Sequence, residues 1–358
     1  MNKKNLTAKL ILEDGTEFIG TSFGYPKNTS GEVVFNTGMV GYPETMTDPS
    51  YRGQILVFTF PLIGNYGIPG NERENGLLKN FESEAIHCRA LIISDYSDEY
   101  SHWNAKRSLA AWMKEQQIPG IYGIDTRMLT RKLREKGTML GKIVINENEE
   151  IDFEDVNKLD LAGQVSIKEP VEYKSDGKKI ILVDCGTKNN IIQAFLKRGI
   201  TVLRVPYDYD FTNEKADGIL VSNGPGDPKT CRATIENVKK AMGTNIPMLG
   251  VCLGSQIMAL AAGADTYKLK YGHRSHNQPC NEMGTKRCYI TSQNHGYAVD
   301  AETLPEDWRE WFVNDNDGTN EGIIHISKPL FAAQFHPEAS PGPDDTEFIF
   351  DMFVRTLK

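Results

Sequence analysis

The chain has 358 residues, a formal net charge of −8 and a hydrophobic fraction of 39%, which is the composition of an ordinary enzyme with room for two domains. The acidic balance gives no support to nucleic-acid binding. No apolar run approaches the roughly 18 residues that a membrane-spanning helix needs. The N-terminal lysines are not followed by the apolar stretch of a signal peptide. We therefore expect a cytoplasmic protein that binds neither nucleic acid nor a membrane.

Residues 1–150 are predicted to form a β-rich α/β domain. The run 10–18 places an Asp-Gly turn between two apolar-bearing stretches, which is a strong hairpin signal. Further strands are predicted at 54–60 and 90–94, and helices at 106–117 and 127–136. The second helix has Asp125 or Thr126 as a candidate N-cap and Gly137 just past its end. Its many basic side chains indicate a solvated face, with a docking face for a partner as the alternative.

Residues 151–177 are charged and weakly periodic, so we predict a linker there. From residue 178 onward, apolar strands alternate with amphipathic helices. This alternation predicts a mostly parallel sheet covered on both faces, and hence a second α/β domain over 178–358. Ligands of such sheets bind at the carboxyl ends of the strands. The predicted strands are 179–184, 201–205, 218–221 and the run before Cys252, and the predicted helices lie near 191–196, 233–242 and 346–357.

Cys252 stands between an apolar strand and an apolar helix, with a glycine two residues away on each side. This arrangement is a thiol version of the nucleophile elbow. The turn is so sharp that a Cβ at either glycine would clash with nearby backbone. The first amides of the helix and its dipole favour a thiolate at this place. The alternative interpretation is a buried structural cysteine at a strand end.

A cysteine nucleophile needs a base and a group that orients the base. The run Gln334-Phe-His336-Pro-Glu338 supplies both. If it is extended, residues two apart share a face, so His336 and Glu338 lie side by side. His295 is a rival base, but it has no carboxylate two residues away.

Two further runs supply polar backbone. Residues 222–228, which are rich in Gly and Pro, follow an apolar strand and are either a simple turn or a backbone-donor loop. In the second case the amide of Gly224 pairs with that of Leu253 as an oxyanion hole. In the run 292–299, Asn294 and the backbone of Gly296 and Tyr297 are candidates to bind a polar amino-acid head group.

Metal binding is disfavoured by the cysteine pattern. The six cysteines include no C-x-x-C pair and read as reduced thiols. One group resembles a metal site, namely His273, His276, Cys280 and Cys288, which we place in a loop. Because the usual paired spacing of zinc ligands is absent, we expect no metal in this chain.

The four runs around Cys252, His336, Gly224 and Asn294 together resemble the class I glutamine amidotransferases of the Cys-His-Glu triad type, over residues 178–358. The first half carries further motifs that look like the N-terminal domain of the carbamoyl-phosphate synthase small-chain family. These motifs are Asn-Thr-Gly-Met-Val-Gly-Tyr-Pro-Glu (36–44), Thr-Asp-Pro-Ser-Tyr (47–51), Phe-Pro-Leu-Ile-Gly-Asn-Tyr-Gly (60–67) and the run 123–134. The tail 336–343 is similar to that family too.

The resemblance implies a glutaminase. According to this resemblance, Cys252 attacks the side-chain amide of glutamine to form a γ-glutamyl thioester. His336 protonates the departing ammonia and then activates water, and Glu338 orients His336. It also implies that ammonia passes to a large synthase subunit, which makes carbamoyl phosphate for arginine or pyrimidine biosynthesis. The implied glutamine-binding residues are Ser50, which would reach across from the first domain, and Gly224, Gly226, Leu253, Gln256, Asn294, Gly296 and Tyr297.

The resemblance assigns ATP and Mg²⁺ to the partner chain and no cofactor to this one, and this sequence contains no G-x-x-x-x-G-K-[ST] phosphate loop. The chain departs from the family pattern at Ser255, where a histidine is usual, and at Ser275-His276, where small glycines are more common. Two alternatives stay open at this point. One is a stand-alone thiol amidohydrolase that acts on γ-glutamyl compounds, and the other is a catalytically silent regulatory or assembly subunit.

Overall fold

The computed structural model describes residues 6–357, which divide into two compact units between Lys158 and Leu159. The division falls inside the segment that we expected to be a linker. Residues 161–173 of that segment form a helix and an edge strand of the second unit. The charged character of residues 169–174 suits a sheet edge, where side chains meet water.

The first unit is built on a closed β-barrel with the strand order β1-β13-β3-β4-β9-β12-β2. Short helical turns at Pro49–Tyr51 and Val156–Lys158 join these elements. The elements are β1 (Thr7–Leu12), β2 (Glu17–Ser22), β3 (Thr29–Asn36), α1 (Tyr42–Thr47), β4 (Gln54–Phe58), β5 (Leu62–Ile63), β6 (Ile68–Pro69), β7 (Arg73–Glu74), β8 (Leu77–Leu78), β9 (Ala90–Ile92), β10 (Asp95–Tyr96), β11 (Ala105–Arg107), α2 (Leu109–Glu115), β12 (Gly120–Tyr122), α3 (Thr126–Lys136) and β13 (Met139–Val144).

The local signals of the first unit have clear structural counterparts. Strands β1 and β2 form the predicted antiparallel hairpin, and Gly15 at its turn has φ 82°. Helix α3 begins at the N-cap Asp125, whose side chain accepts a 2.8 Å hydrogen bond from the amide of Met128, and it ends at Gly137. Helix α2 is shorter than predicted because residues 105–107 pair with β6 as a strand.

The second unit is an α/β structure with one mixed sheet in the order β14-β16-β15-β17-β18-β23-β22-β21-β19-β20. Turns at Pro228–Thr230 and Ala301–Thr303 are 3-10 helices. The elements are α4 (Leu161–Val165), β14 (Val171–Tyr173), β15 (Lys179–Asp184), α5 (Asn189–Leu196), β16 (Thr201–Pro206), β17 (Gly218–Val221), α6 (Arg232–Met242), β18 (Met248–Val251), α7 (Leu253–Ala262), β19 (Asp265–Glu282), β20 (Cys288–Asp300), β21 (Trp308–Asn314), β22 (Asn320–His325), β23 (Leu330–Ala333) and α8 (Phe348–Thr356).

The parallel part of this sheet, from β16 through β23, confirms the α/β prediction. Strands β15, β17 and β18 are buried along nearly their whole length, as in a parallel sheet shielded on both faces, which explains their continuous apolar runs. Helix α7 is buried over most of its length and packs on β18. The carboxyl ends of β15, β17, β18 and β23 therefore gather at one edge of the sheet.

The long hairpin of β19 and β20 corrects one prediction. Residues 272–279, which we expected in a loop, belong to β19. Irregular register between Lys268 and His273, and again between Ser275 and Gln278, interrupts the alternation that would have indicated a strand. Across residues 6–357, none of the helices combines the length and the apolarity that crossing a membrane requires.

Candidate active site

Cys252 occupies the sharp turn between β18 and α7, with φ 54° and ψ −106°. Such positive φ is rare for a residue with a side chain and stores strain at functional sites. The flanking glycines permit the turn. A Cβ on Gly254 would lie 2.0 Å from the carbonyl oxygen of Val221, and one on Gly250 would lie 2.7 Å from that of Gly254. The predicted reason for both glycines is therefore visible in the backbone.

The sulfur of Cys252 is held near two other segments of the sheet. Its amide donates a 2.8 Å hydrogen bond to the carbonyl of Ala333, the last residue of β23. Its thiol donates to the carbonyl of Asn294 on β20 at 3.6 Å. The residue is only 2% exposed, so a substrate has to reach it in a confined place.

His336 and Glu338 follow β23 and meet as predicted, although by a different route. The amide of Ala339 donates to the carbonyl of His336 at 3.1 Å, so the stretch is a turn rather than an extended strand. The two side chains nevertheless touch, with Nδ1 of His336 2.7 Å from Oε1 of Glu338. Because a carboxylate accepts and cannot donate, Nδ1 carries the proton and Nε2 is directed elsewhere.

The electrostatics of this pair are those of a buried ion pair. Burial alone would lower the pKa of His336, but the charge of Glu338 and the neighbouring thiol of Cys252 outweigh it and raise that pKa to about 10. Burial likewise opposes ionisation of Glu338, but Lys188 and His336 lower its pKa to about 2. Nε2 of His336 has no hydrogen-bond partner within residues 6–357, so it is available to a substrate atom beside the sulfur.

Lys188 was missed by the sequence analysis. Its Nζ lies 3.0 Å from Oε1 of Glu338 and also donates to the carbonyl of Ala339, and the side chain is only 4% exposed. Asn190 adds a hydrogen bond from Nδ2 to the main-chain carbonyl of Glu338. Lys188 is the N-cap of α5 and Asn190 lies in the first turn of that helix, which follows the carboxyl end of β15. That position in a parallel sheet was the available signal, since polar residues there tend to face the ligand site.

The predicted oxyanion elements lie close together. A Cβ on Gly224 would stand 2.1 Å from the carbonyl oxygen of Cys185 and 2.9 Å from Cδ2 of Leu253, so the loop after β17 runs against the start of α7. Gly226 lies in the same loop, just before the turn Pro228–Thr230. The donation by the amides of Gly224 and Leu253 to a substrate oxygen stays a prediction.

The other predicted glutamine-binding residues divide between the two units. Nε2 of Gln256 donates to the carbonyl of Tyr297 at 2.8 Å and to Oε1 of Gln334 at 3.0 Å. Asn294 contacts the sulfur of Cys252 as described, and Gly296 follows on the same strand. Ser50 belongs to the first unit, where it is buried in the turn Pro49–Tyr51 and its amide donates to Asp48. Its part in binding glutamine stays a prediction.

His295, the rival base, is occupied elsewhere. Its Nδ1 donates to the carbonyl of Tyr297 at 2.8 Å, and its Nε2 lies 3.1 Å from Oε1 of Gln293. Burial lowers its pKa. A ring with both nitrogens in such contacts is poorly placed to serve Cys252.

The group of potential metal ligands also differs from the one weighed in the sequence. His273, His295 and Glu321 come together in the interior of the unit. Cys280 instead contacts Thr291 and Gln293, and Cys288 is exposed. His276 lies apart from this group and is partly buried, and this partial burial, with Lys188 nearby, lowers its pKa to about 4.

Comparison with known proteins agrees with this architecture. Residues 181–356 match the sequence model of "Glutamine amidotransferase class-I", and residues 10–143 match that of "Carbamoyl-phosphate synthase small chain, CPSase domain".

Similar proteins extend over the whole chain. The arginine-specific small chain of carbamoyl phosphate synthase from Saccharomyces cerevisiae is 49% identical, covering 100% of this chain and 90% of the relative. The multifunctional protein CAD of Squalus acanthias is 56% identical over 98% of this chain and 16% of the relative. The mitochondrial carbamoyl-phosphate synthase [ammonia] of Homo sapiens is 50% identical over 100% of this chain and 24% of the relative.

The chain spans about a fifth of the length of the multifunctional relatives, between 16% and 21%. It spans 80% to 90% of the separate small chains from Neurospora crassa and Saccharomyces cerevisiae. Identity near one half over the full length is sufficient to assign the family. The chain belongs to the carbamoyl-phosphate synthase small-chain family, and its second unit is a class I glutamine amidotransferase domain.

Proposed function

We propose that this chain hydrolyses L-glutamine to glutamate and ammonia and delivers the ammonia to a carbamoyl-phosphate synthase large subunit or domain. The observation that carries the proposal is the meeting of three groups. Cys252 stands on a strained elbow, and His336 lies beside it. Glu338 accepts a hydrogen bond from Nδ1 of His336, the ring nitrogen that does not face the sulfur. This is the arrangement of nucleophile, base and orienting group that covalent acyl transfer requires.

In the first step Cys252, as a thiolate paired with protonated His336, attacks the side-chain carbonyl carbon of glutamine through its sulfur. The carbonyl oxygen takes up negative charge, which the amides of Gly224 and Leu253 are proposed to stabilise. One such donor typically lowers the barrier by about 3–4 kcal/mol. When the tetrahedral intermediate collapses, the C–N bond breaks and His336 transfers a proton to the leaving nitrogen. Ammonia and a γ-glutamyl thioester result.

In the second step water attacks the thioester. His336, now neutral, accepts a proton from the water, the C–S bond breaks, and glutamate leaves with the sulfur of Cys252 restored. Glu338 keeps Nδ1–H of His336 engaged, so that the reacting nitrogen is always Nε2. Together the two steps consume one glutamine and one water and release one glutamate and one ammonia.

Substrate binding is proposed to involve Gln256, Asn294, Gly296 and Tyr297 in the second unit, with Gly224, Gly226 and Leu253 along the oxyanion side. The carbonyl of Asn294 lies 3.6 Å from the sulfur, so the segment 294–297 begins beside the nucleophile, which supports a head-group site one glutamine side-chain length away along it. Ser50 is proposed as a further contact from the first unit.

The partner is inferred from the relatives. Those named as small chains of carbamoyl phosphate synthase imply a separate synthase chain. A longer relative that is itself named a carbamoyl-phosphate synthase implies a synthase region in the same polypeptide. We propose that ATP and Mg²⁺ bind on that partner. One relative is named for ammonia rather than glutamine, so the assignment of glutamine to this chain rests on Cys252 and its surroundings and not on family membership alone.

The test compares the wild type with Cys252→Ser in a complex with the synthase subunit. We expect the variant to lose glutamine-dependent carbamoyl phosphate formation while ammonia-dependent formation persists. Equal glutamine hydrolysis by the two proteins would refute the role of Cys252. A wild type that hydrolyses γ-glutamyl peptides better than glutamine would favour the stand-alone hydrolase, which has no use for a first unit of this family.

A further inference from the structure

Three charged residues, Asp317, His273 and Glu321, form a connected group next to β20, the strand that carries residues 294–297. Nε2 of His273 is 2.9 Å from Oδ2 of Asp317, and its Nδ1 is 3.1 Å from Oε1 of Glu321. The Glu321 side chain is fully buried and that of His273 is 7% exposed, whereas Asp317 is 41% exposed. A buried carboxylate is costly unless it is paired, so the presence of Glu321 here calls for a reason.

The geometry indicates that His273 is a protonated bridge between the two carboxylates. Burial would lower its pKa, but Asp317 and Glu321 outweigh burial and raise it to about 9. Nδ2 of Asn314 also donates to Oε1 of Glu321, at 3.3 Å. Donors from two sides thus point at this oxygen. A metal ion bound to this oxygen would instead need atoms with free lone pairs around the ion, and N–H donors do not supply them.

The bridge reaches the strand that carries Asn294 and Tyr297. His273 and His295 are register partners on β19 and β20, and their rings pack edge to face with centroids 4.9 Å apart. Nε2 of His295 lies 3.7 Å from Oε1 of Glu321. On its other side, His295 donates to the carbonyl of Tyr297, which also accepts the hydrogen bond from Gln256.

Glu321 is tied to the catalytic side of the sheet as well. Its main-chain carbonyl accepts a 2.9 Å hydrogen bond from the amide of Gln334, two residues before His336. The side chain of Gln334 accepts from Gln256 at 3.0 Å. The carboxylate of Glu321 therefore reaches the strand at 294–297 through His295. Its main chain pairs directly with the segment that leads to His336, a contact that does not depend on the acid group.

We propose that Glu321 and His273 are positioning residues of the glutamine site, which hold the segment 294–297 in its binding geometry without touching the substrate. This rests on the proposed function. Loss of the bridge lets the backbone at Tyr297 move, and a displacement of this kind weakens binding of the substrate more than the chemistry at Cys252.

The test is Glu321→Gln in the full chain with its synthase partner. The amide oxygen of the new side chain at position 321 can still accept a hydrogen bond from His273, but the side chain lacks the negative charge of the carboxylate. We expect KM for glutamine to rise by about tenfold or more, with kcat changed less than about threefold, and no change in ammonia-dependent synthesis. The matched control is Glu310→Gln on β21. The carboxylate of Glu310 accepts a 2.9 Å hydrogen bond from Nδ2 of Asn320 and takes no part in the bridge, so this variant should leave KM unchanged.

A second measurement separates binding from reactivity. Alkylation of Cys252 by a chloroketone analogue of glutamine should slow in Glu321→Gln, whereas alkylation by iodoacetamide should not. If Glu321→Gln does not fold, Asp317→Asn at the exposed end of the bridge takes its place, with a smaller rise in KM. Wild-type KM in the variant that folds would overturn the proposal.

Two other outcomes are distinct. Stoichiometric zinc in the purified protein, lost in Glu321→Gln, would overturn the bridge in favour of a metal site at His273, His295 and Glu321. A wild type that neither hydrolyses glutamine nor reacts faster with the chloroketone than with iodoacetamide would refute the proposed function itself, whatever the variants show.

Discussion

Lys188 and Glu338 form a salt bridge inside the protein, with Nζ 3.0 Å from Oε1 and both side chains almost fully shielded from water. The same carboxylate oxygen accepts from Nδ1 of His336 at 2.7 Å. Glu338 is thus a carboxylate with a cation on each side. The pair connects the end of β15 to the turn after β23, so one contact supports both the fold and the proposed base.

Lys188→Met should destabilise the protein strongly. The change leaves Glu338 buried with one cation fewer, and breaking a buried pair from one side typically costs about 3–5 kcal/mol. Urea unfolding of the variant and the wild type at neutral pH measures the difference. The control is Lys179→Met, whose ion pair with Glu172 is about one-third exposed on both sides and should contribute less than about 1 kcal/mol. Similar losses in the two variants would contradict this account of Lys188.

The raised pKa of His336 predicts how its stabilisation depends on pH. A group whose pKa is raised in the folded state contributes stability that is fully present below its unfolded value, near 6.5, and is lost as the pH rises through about 10. The difference in unfolding free energy between the wild type and His336→Asn should therefore be largest near pH 6 and shrink by pH 10.

The same residue can be observed directly. NMR of labelled histidine should show His336 protonated at pH 7.5, and Glu338→Gln should lower its pKa, because the carboxylate charge is what opposes the effect of burial. Lys9→Met, at an exposed ion pair with Glu147 in the first unit, serves as the control and should leave the signal unchanged. A His336 that titrates near 6.5 in the wild type is incompatible with the ion pair.

Gly254→Ala should disrupt the elbow. Its new Cβ would lie 2.0 Å from the carbonyl oxygen of Val221, and the nearest atoms all belong to the backbone of Val221 and Ser222, which leaves little room for relaxation. We expect a loss of about 3 kcal/mol or more together with a large loss of glutamine hydrolysis. The control is Gly243→Ala, where the nearest atom would lie at 3.1 Å and φ is −69°. Thermal unfolding compares them, and equal stability of the two variants would show that the turn at Cys252 tolerates a side chain.

Much of the second unit could be predicted because its strands and helices have strong local signals. The elbow glycines were assigned from spacing alone, and their close backbone contacts supply the predicted reason. His336 and Glu338 were paired by an argument about extended backbone that is wrong for this turn. Their contact survives because two residues in a turn can also bring side chains together.

Other features depend on contacts between distant segments, which a single sequence does not reveal. Lys188 and Glu338 are far apart along the chain, and an isolated lysine after a strand is more often solvated. Glu321 reads as an ordinary polar residue until His273 and Asn314 are seen around it. The hairpin of β19 and β20 escaped prediction because its register irregularities break the alternation of apolar and polar residues.

The most direct test of the central claim is mass spectrometry of the protein after a short incubation with glutamine and an acid quench. We predict a γ-glutamyl adduct on the peptide that contains Cys252, absent from Cys252→Ser. Glutamate formation by the wild type with no adduct on that peptide, and at the same rate in Cys252→Ser, would contradict the account.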